Sequence, residues 1–183
     1  FYQRVPEFTI YTTSDYMSGY GPPGAPVVAT LKDNSLAVKG TQSTVAQEDG
    51  YYFLNFEADI VIGDIMVVDI GPLHFEQEAV MLTVDGNTKT NVIFGTGPVN
   101  ADYRVCAYTY EGGIYWGDCE YNLNSDDGGN FSWIAPELNA GSEISVMVTP
   151  NYGKDHVSIY RYLPGFRINQ TEDYVTGHTT PGA

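Results

Sequence analysis

Residues 6–25 read PEFTIYTTSDYMSGYGPPGA, and residues 164–183 read PGFRINQTEDYVTGHTTPGA. Shifted by 158 positions, the two stretches agree at ten of twenty places without a gap: Pro6/Pro164, Phe8/Phe166, Ile10/Ile168, Thr13/Thr171, Asp15/Asp173, Tyr16/Tyr174, Gly19/Gly177, Pro23/Pro181, Gly24/Gly182 and Ala25/Ala183. Self-similarity at a fixed period is the signature of tandem architecture. Each copy is a strand-and-turn opening, with apolar alternation giving way to Gly and Pro.

A weaker period of about half that length lies between the two copies. Gly19-Tyr20-Gly21-Pro22 answers to Gly95-Thr96-Gly97-Pro98, EDGYYF (48–53) to DDGGNF (126–131), and IGDIMVV (62–68) to AGSEISV (140–146). The chain therefore divides into two similar units. Strand signals rich in β-branched and aromatic residues follow in each. They are PVVATLK (26–32), YYFLNFEADI (51–60), DIMVVDI (64–70) and EAVMLTV (78–84), then DYRVCAYTY (102–110), GIYWGDCEY (113–121), NFSWI (130–134), EISVMVT (143–149) and HVSIYRY (156–162). Turns are expected at Asp33-Asn34, Asp49-Gly50, Asp85-Gly86, Asp127-Gly128 and Tyr152-Gly153. STVAQED (43–49) reads as a loop, with one helical turn as the alternative. Twenty Gly, 10 Pro and 14% aromatic residues agree with an all-β chain of short strands.

Eight basic residues stand against 23 acidic ones, a net charge of −15. Nucleic acid is excluded as a partner, because its phosphates repel such a surface. Cations are attracted. The most apolar stretch, ADIVIGDIMVVDIG, is interrupted by Asp59, Asp64 and Asp69 and is no membrane span. Phe1 is not an initiator Met, which implies a processed or excised chain. Cys106 and Cys119 flank a hairpin with Glu111-Gly112-Gly113 at its turn, and cross-strand neighbours suit a disulfide. A reduced pair in a cytosolic protein is the alternative.

The order G-x-G-P turn, strand, D-G-x-x-F, then G-[DS]-x-[IV]-x-V is carried by Asp49, Gly50, Phe53, Gly63 and Asp64 and again by Asp127, Gly128, Phe131, Gly141 and Ser142. It resembles the immunoglobulin-like and carboxypeptidase-regulatory-like sandwiches that recur in tandem in prokaryotic secreted surface proteins. The resemblance implies two tandem immunoglobulin-like or transthyretin-like β-sandwich domains, with terminal strands shared with neighbouring repeats. The expected organisation is 1–13 as the end of a preceding repeat or a linking strand, 14–89 and 90–172 as sandwiches, and 173–183 as the first strand of a next repeat or a donor strand. Modules of this kind serve as spacers, stalks, adhesive repeats or filament subunits. In both motifs the Phe is expected to point into the core.

No G-x-S-x-G elbow, H-E-x-x-H or Walker loop occurs, and His74, His156 and His178 are isolated. His74 and His156 are expected at related places in the two units. Acidic residues at turns make Asp49, Asp126, Asp127 and Asp173 the candidate ligands for Ca²⁺, the one candidate cofactor, although Asp is also the ordinary turn residue. Two sequons mark Asn130 and Asn169 as candidate glycosylation sites. Tyr108, Tyr110, Tyr115 and Trp116 are the candidate glycan platform, with cross-strand pairing within the hairpin as the plainer account.

These features lead to a non-catalytic structural subunit or repeat of an extracellular filament, stalk or surface fibre. It is expected to polymerise by β-strand sharing, with other copies of itself or adjacent repeats as partners. The tail stops at TPGA, before any counterpart of PVVATLK, which favours a window of a longer repeat chain over a complete subunit. The alternative is a carbohydrate-binding or adhesin module using the hairpin 106–121.

Overall fold

A computed structural model describes residues 6–111, 114–149, 156–163, 165–169 and 174–178. Among the described residues every regular element is a strand, and they run β1 (Glu7–Tyr11), β2 (Tyr16–Tyr20), β3 (Pro26–Lys32), β4 (Val38–Val45), β5 (Tyr51–Asn55), β6 (Ile65–Ile70), β7 (Leu73–Glu78), β8 (Thr83–Asn87), β9 (Val92–Thr96), β10 (Asp102–Glu111), β11 (Ile114–Asn124), β12 (Asn130–Ile134), β13 (Glu143–Thr149), β14 (His156–Tyr162), β15 (Gly165–Asn169) and β16 (Tyr174–His178). The chain forms two compact units, Phe1–Met81 with Thr149–Ser158, and Leu82–Val148 with Ile159–Ala183. The all-β expectation holds.

In the first unit β1, β2 and β5 lie side by side, and the outer edge of β1 pairs in parallel with His156–Ser158. The opposing sheet runs β4-β3-β6-β7. Alternation along β3, β5 and β6 sends Val27, Ala29, Leu31, Tyr52, Leu54, Met66 and Val68 into a fully or almost fully buried core with Phe8, Ile10 and Met17. The second unit repeats the plan with β8-β9-β12 in one sheet and β11-β10-β13-β14 in the other. Its core holds Ile93, Tyr103, Val105, Phe131, Leu138, Ile144, Val146 and Leu163. Two facing sheets with alternating burial make each unit a β-sandwich.

The repeat extends to backbone register. In the first hairpin Glu7 pairs with Tyr20 and Tyr11 with Tyr16. Seventy-six residues on, Thr83 pairs with Thr96 and Asn87 with Val92. At the full shift of 158, Gly165 pairs with His178 and Asn169 with Tyr174. The same hairpin is thus built three times. Turn geometry repeats as well: Gly21 N donates to Gly50 O at 2.9 Å, and Gly97 N to Gly129 O at 2.9 Å. Gly63 (φ +88°) and Gly141 (φ +82°) occupy matching bends before β6 and β13.

That geometry corrects the half-period by one residue. Gly50 corresponds to Gly129, not Gly128, and both have positive φ, the conformation that favours glycine. Buried Tyr52 (1% exposed) therefore matches buried Phe131 (4%), while Phe53 is 45% exposed and lies beside Tyr16 at a ring distance of 5.0 Å. Phe131 enters the core as expected; Phe53 does not, because a one-residue slip in a strand moves every side chain to the other face. His74 and His156 do not correspond either. Ala79 N to Asp64 O and Leu163 N to Ser142 O are equivalent bonds, which sets His74 against Ser158.

Three further expectations are corrected. Asp85-Gly86 lies inside β8 rather than at a turn. Gly86 is there because a side chain would press on Ile144, Leu138 and Leu163 of the core. EAVMLTV is not one strand: β7 ends at Glu78 and β8 starts at Thr83, with Met81 exposed between them. STVAQED is neither loop nor helix at its start, since β4 runs to Val45 and pairs with Pro26. The Tyr152-Gly153 turn lies outside the described residues.

Tyr52→Ala is expected to lower the unfolding free energy by about 3–5 kcal/mol, the cost of emptying a buried aromatic site. Phe53→Ala, on the solvent side, is expected to cost about 1 kcal/mol. Urea denaturation of the two variants checks the β5 register, and the reverse order would refute it.

Candidate functional site

The hairpin β10–β11 carries the disulfide. Cys106 and Cys119 are direct cross-strand partners with Cα atoms 4.1 Å apart, and they are joined. The pairing expected from the flanking strands is the one observed, and the reduced alternative is not. The ladder also positions the aromatic candidates. Tyr110 is opposite Tyr115 and Tyr108 opposite Gly117, whereas Trp116 is opposite Thr109. Alternation places position 116 on the other face of the ribbon from 108, 110 and 115. Thr109 is buried on that face and bonds Ser142 Oγ at 2.7 Å. The four residues do not form one continuous platform, and the side chains of Tyr110 and Tyr115 lie outside the described residues.

The acidic turn residues act on their own backbone. Asp126 Oδ1 accepts from Gly128 N at 2.9 Å, Asn130 N at 2.8 Å and Asn130 Nδ2 at 3.0 Å. The Asn130 side-chain bond, followed by its backbone bond, holds the Asp126 carboxyl below its ordinary pKa. Asp49 Oδ1 accepts from Tyr51 N at 2.9 Å. These are the local caps that Asp forms in turns. Among the described residues no three His, Cys, Asp or Glu side chains gather as a metal site. Asp127 is exposed, and Asp173 lies outside the described residues. Asn130 is exposed, but its amide nitrogen also bonds Asp126 Oδ2 at 3.1 Å. Asn169 pairs with Tyr174 through the backbone of β15–β16.

Charged pairs elsewhere are structural. Asp64, almost fully buried, accepts from Lys39 Nζ at 2.5 Å and Val61 N at 2.9 Å. In the second unit Ser142 takes that place and accepts from Asn139 N at 3.0 Å. His74 sits at the surface, where its bond to Asp69 (2.7 Å) raises the imidazole pKa. Burial pushes the Tyr103 hydroxyl to about 12 while it donates to Pro98 O at 2.7 Å.

The outer faces of β1-β2-β5 and β8-β9-β12 differ. In the first unit aromatic rings cover it: Tyr11 stacks on Tyr16 at 4.2 Å, Tyr16 meets Phe53, and Tyr20 meets Tyr51 at 5.6 Å. In the second unit the matching rows are Thr83–Thr96–Asn130, Asp85–Phe94–Ser132 and Asn87–Val92–Ile134. The first two rows floor a groove of about 730 Å³ with Arg161 on its wall. Of this set the sequence marks Asn130 as a sequon and Asp85 as a turn residue; the outward place of Phe94 is legible in the alternation of VIFGT (92–96), where Ile93 is buried.

No protein-family model matches the chain, and no curated protein does. Among solved structures it is similar to a domain of a biofilm-associated protein, with 12% identity and TM-score 0.30 over 85% of this chain and 28% of that one. It is similar also to a tetra-tandem repeat from the extending region of a large adhesion protein, with 13% identity and TM-score 0.30 over 88% and 51%. A two-domain fibronectin type III segment of chicken tenascin gives 13% identity and TM-score 0.27 over 82% and 92%. The chain spans about a quarter and about half of the first two proteins. At these scores no function is carried across.

The double variant Cys106→Ser/Cys119→Ser is expected to lose about 2–4 kcal/mol of stability, because the bridge closes a loop of 13-residue separation in the unfolded chain. Chemical denaturation measures it. Asp126→Ala is expected to be less stable than the native chain at neutral pH. A folded pKa below the unfolded one gives stability that is complete above the unfolded value and is lost as pH falls through the folded value. Thermal melts from pH 7 down to strong acid should therefore converge, and a difference that persists in acid would refute the capping role.

Proposed function

We propose that this chain is a non-catalytic structural repeat of an extracellular fibre, stalk or filament, assembled by strands shared between successive units. The observation that supports it is the third hairpin. β15–β16 has the register of β1–β2 and β8–β9. In the first two hairpins the second strand gains another neighbour, β5 beside β2 and β12 beside β9. In the described residues β16 pairs with β15 alone. Its outer edge is thus of the kind that accepts a strand equivalent to β5 or β12, from another copy or an adjacent repeat. Strand addition supplies main-chain hydrogen bonds and removes an exposed edge. The disulfide accords with an oxidising, extracellular setting, and the strongly acidic surface with a protein that meets neither nucleic acid nor anionic lipid.

Sedimentation over a wide concentration range tests strand sharing between chains. Species at multiples of 20.1 kDa are expected. Val175→Pro and Thr176→Pro remove N–H donors that point to opposite edges of β16, so at least one should abolish the multiples. A single monomeric species at every concentration would overturn exchange between separate chains.

A further inference from the structure

The groove on the outer face of β8-β9-β12 combines an exposed ring, positioned hydrogen-bonding groups and open volume. We propose that this groove is a binding site for a neutral saccharide, taking a pyranose ring against Phe94. Phe94 is 47% exposed and stands in the middle of its row, between Asp85 and Ser132. A flat apolar ring set among polar groups suits the C–H face of a sugar, whose hydroxyls then reach the surrounding side chains. The volume, about 730 Å³, is within the usual range for small-molecule sites of about 300–1,000 Å³.

The polar groups are held in place. Thr83 and Thr96 join hydroxyls at 2.8 Å, and Thr96 N donates to Thr83 Oγ1 at 3.0 Å. Asn130 is fixed through its Nδ2 by Asp126, which leaves its Oδ1 as an acceptor. Among the described residues Arg161 Nε is buried with no acceptor, and the guanidinium's ion pair is a long one, to Asp85 at 3.7 Å from Nη2. A guanidinium has five donors, so its terminal nitrogens retain capacity for a hydroxyl oxygen bound beside Asp85.

Charge selects the class of ligand. The groove holds two carboxylates and one guanidinium in a chain of net charge −15, which disfavours an anionic polymer. Both carboxylates are already engaged: Asp85 by Gly86 N at 2.8 Å and by Arg161, Asp126 by its turn. A bare cation would find no converging set of free oxygens. A neutral polyhydroxyl ligand uses donors and acceptors together, and both are present. The arrangement is also particular to the second unit: Phe94 stands where the first unit has Ser18, and Thr96, Asn130 and Ser132 stand where it has Tyr20, Tyr51 and Phe53.

Titration of the ¹⁵N-labelled chain with cellohexaose, maltohexaose, mannohexaose and chitohexaose, and with an oligogalacturonate for comparison, tests the proposal. At least one neutral oligosaccharide is expected to shift the amides of 83–85, 94–96 and 130–132. Phe94→Ala should weaken that binding roughly threefold to tenfold, the value of one aromatic contact, and Arg161→Gln should weaken it as well. Both side chains are partly exposed, and the variants' own spectra report whether the fold is kept. No shift with any neutral sugar, shifts confined to the hairpin 106–121, stronger binding of the oligogalacturonate, or unchanged affinity in Phe94→Ala would each overturn it.

Discussion

Each sandwich depends on an aromatic ring that lies against a glycine of a strand paired on both sides, β2 between β1 and β5 or β9 between β8 and β12. A side chain at Gly19 would collide with the carbonyl of Glu7 and the ring of Tyr52; one at Gly95 would collide with the carbonyl of Thr83 and the ring of Phe131. The glycine lets the ring drop onto the strand, and the ring then fills the space between the sheets. Tyr52 completes the arrangement by donating its hydroxyl to Glu7 O at 3.2 Å. Phe131 has no hydroxyl and packs instead on Tyr103, ring to ring at 4.6 Å. Removing the glycine forces ring, strand or both to move, and close-packed interiors do not absorb that cheaply.

Around this shared skeleton the two units differ where the skeleton places no demand. The bend before β6 uses a buried aspartate neutralised by Lys39; the bend before β13 uses a serine bonded to Thr109. A buried carboxylate needs its cation, whereas a hydroxyl needs only a hydrogen bond. The outer sheet faces diverge further, aromatic in one unit and grooved in the other. Inward positions are dictated by volume, and outward positions remain open to function.

Strands β3, β12, β13 and β14 coincide with PVVATLK, NFSWI, EISVMVT and HVSIYRY as marked by composition. The Cys106–Cys119 bridge followed from strand signals on both sides of a short turn. The strands that composition did not mark, β4, β7 and β9, are polar, charged or glycine-containing, VKGTQSTV, LHFEQE and VIFGT. β4 and β7 are edges with one wet flank, where local preference is weak and pairing with a neighbour decides. Asp85-Gly86 has the chemistry of a turn, and only the crowding of Ile144, Leu138 and Leu163 accounts for its place within a strand. The carboxylate of Asp126 was a cation-ligand candidate by residue type, yet three N–H groups of its own turn already occupy it.

By itself the sequence determined the class and the tandem period, and it placed the two cysteines where a bridge could form. Those rest on alternation, on identity at a fixed spacing and on contacts close along the chain. Tertiary structure alone decided which of two adjacent aromatics, Tyr52 or Phe53, enters the core. It also gathered Asp85, Phe94, Asn130, Ser132 and Arg161 around one groove. Register is set by pairing between strands distant in sequence, and a shift of one residue exchanges inside for outside. A site assembled across several strands has no local pattern to be read.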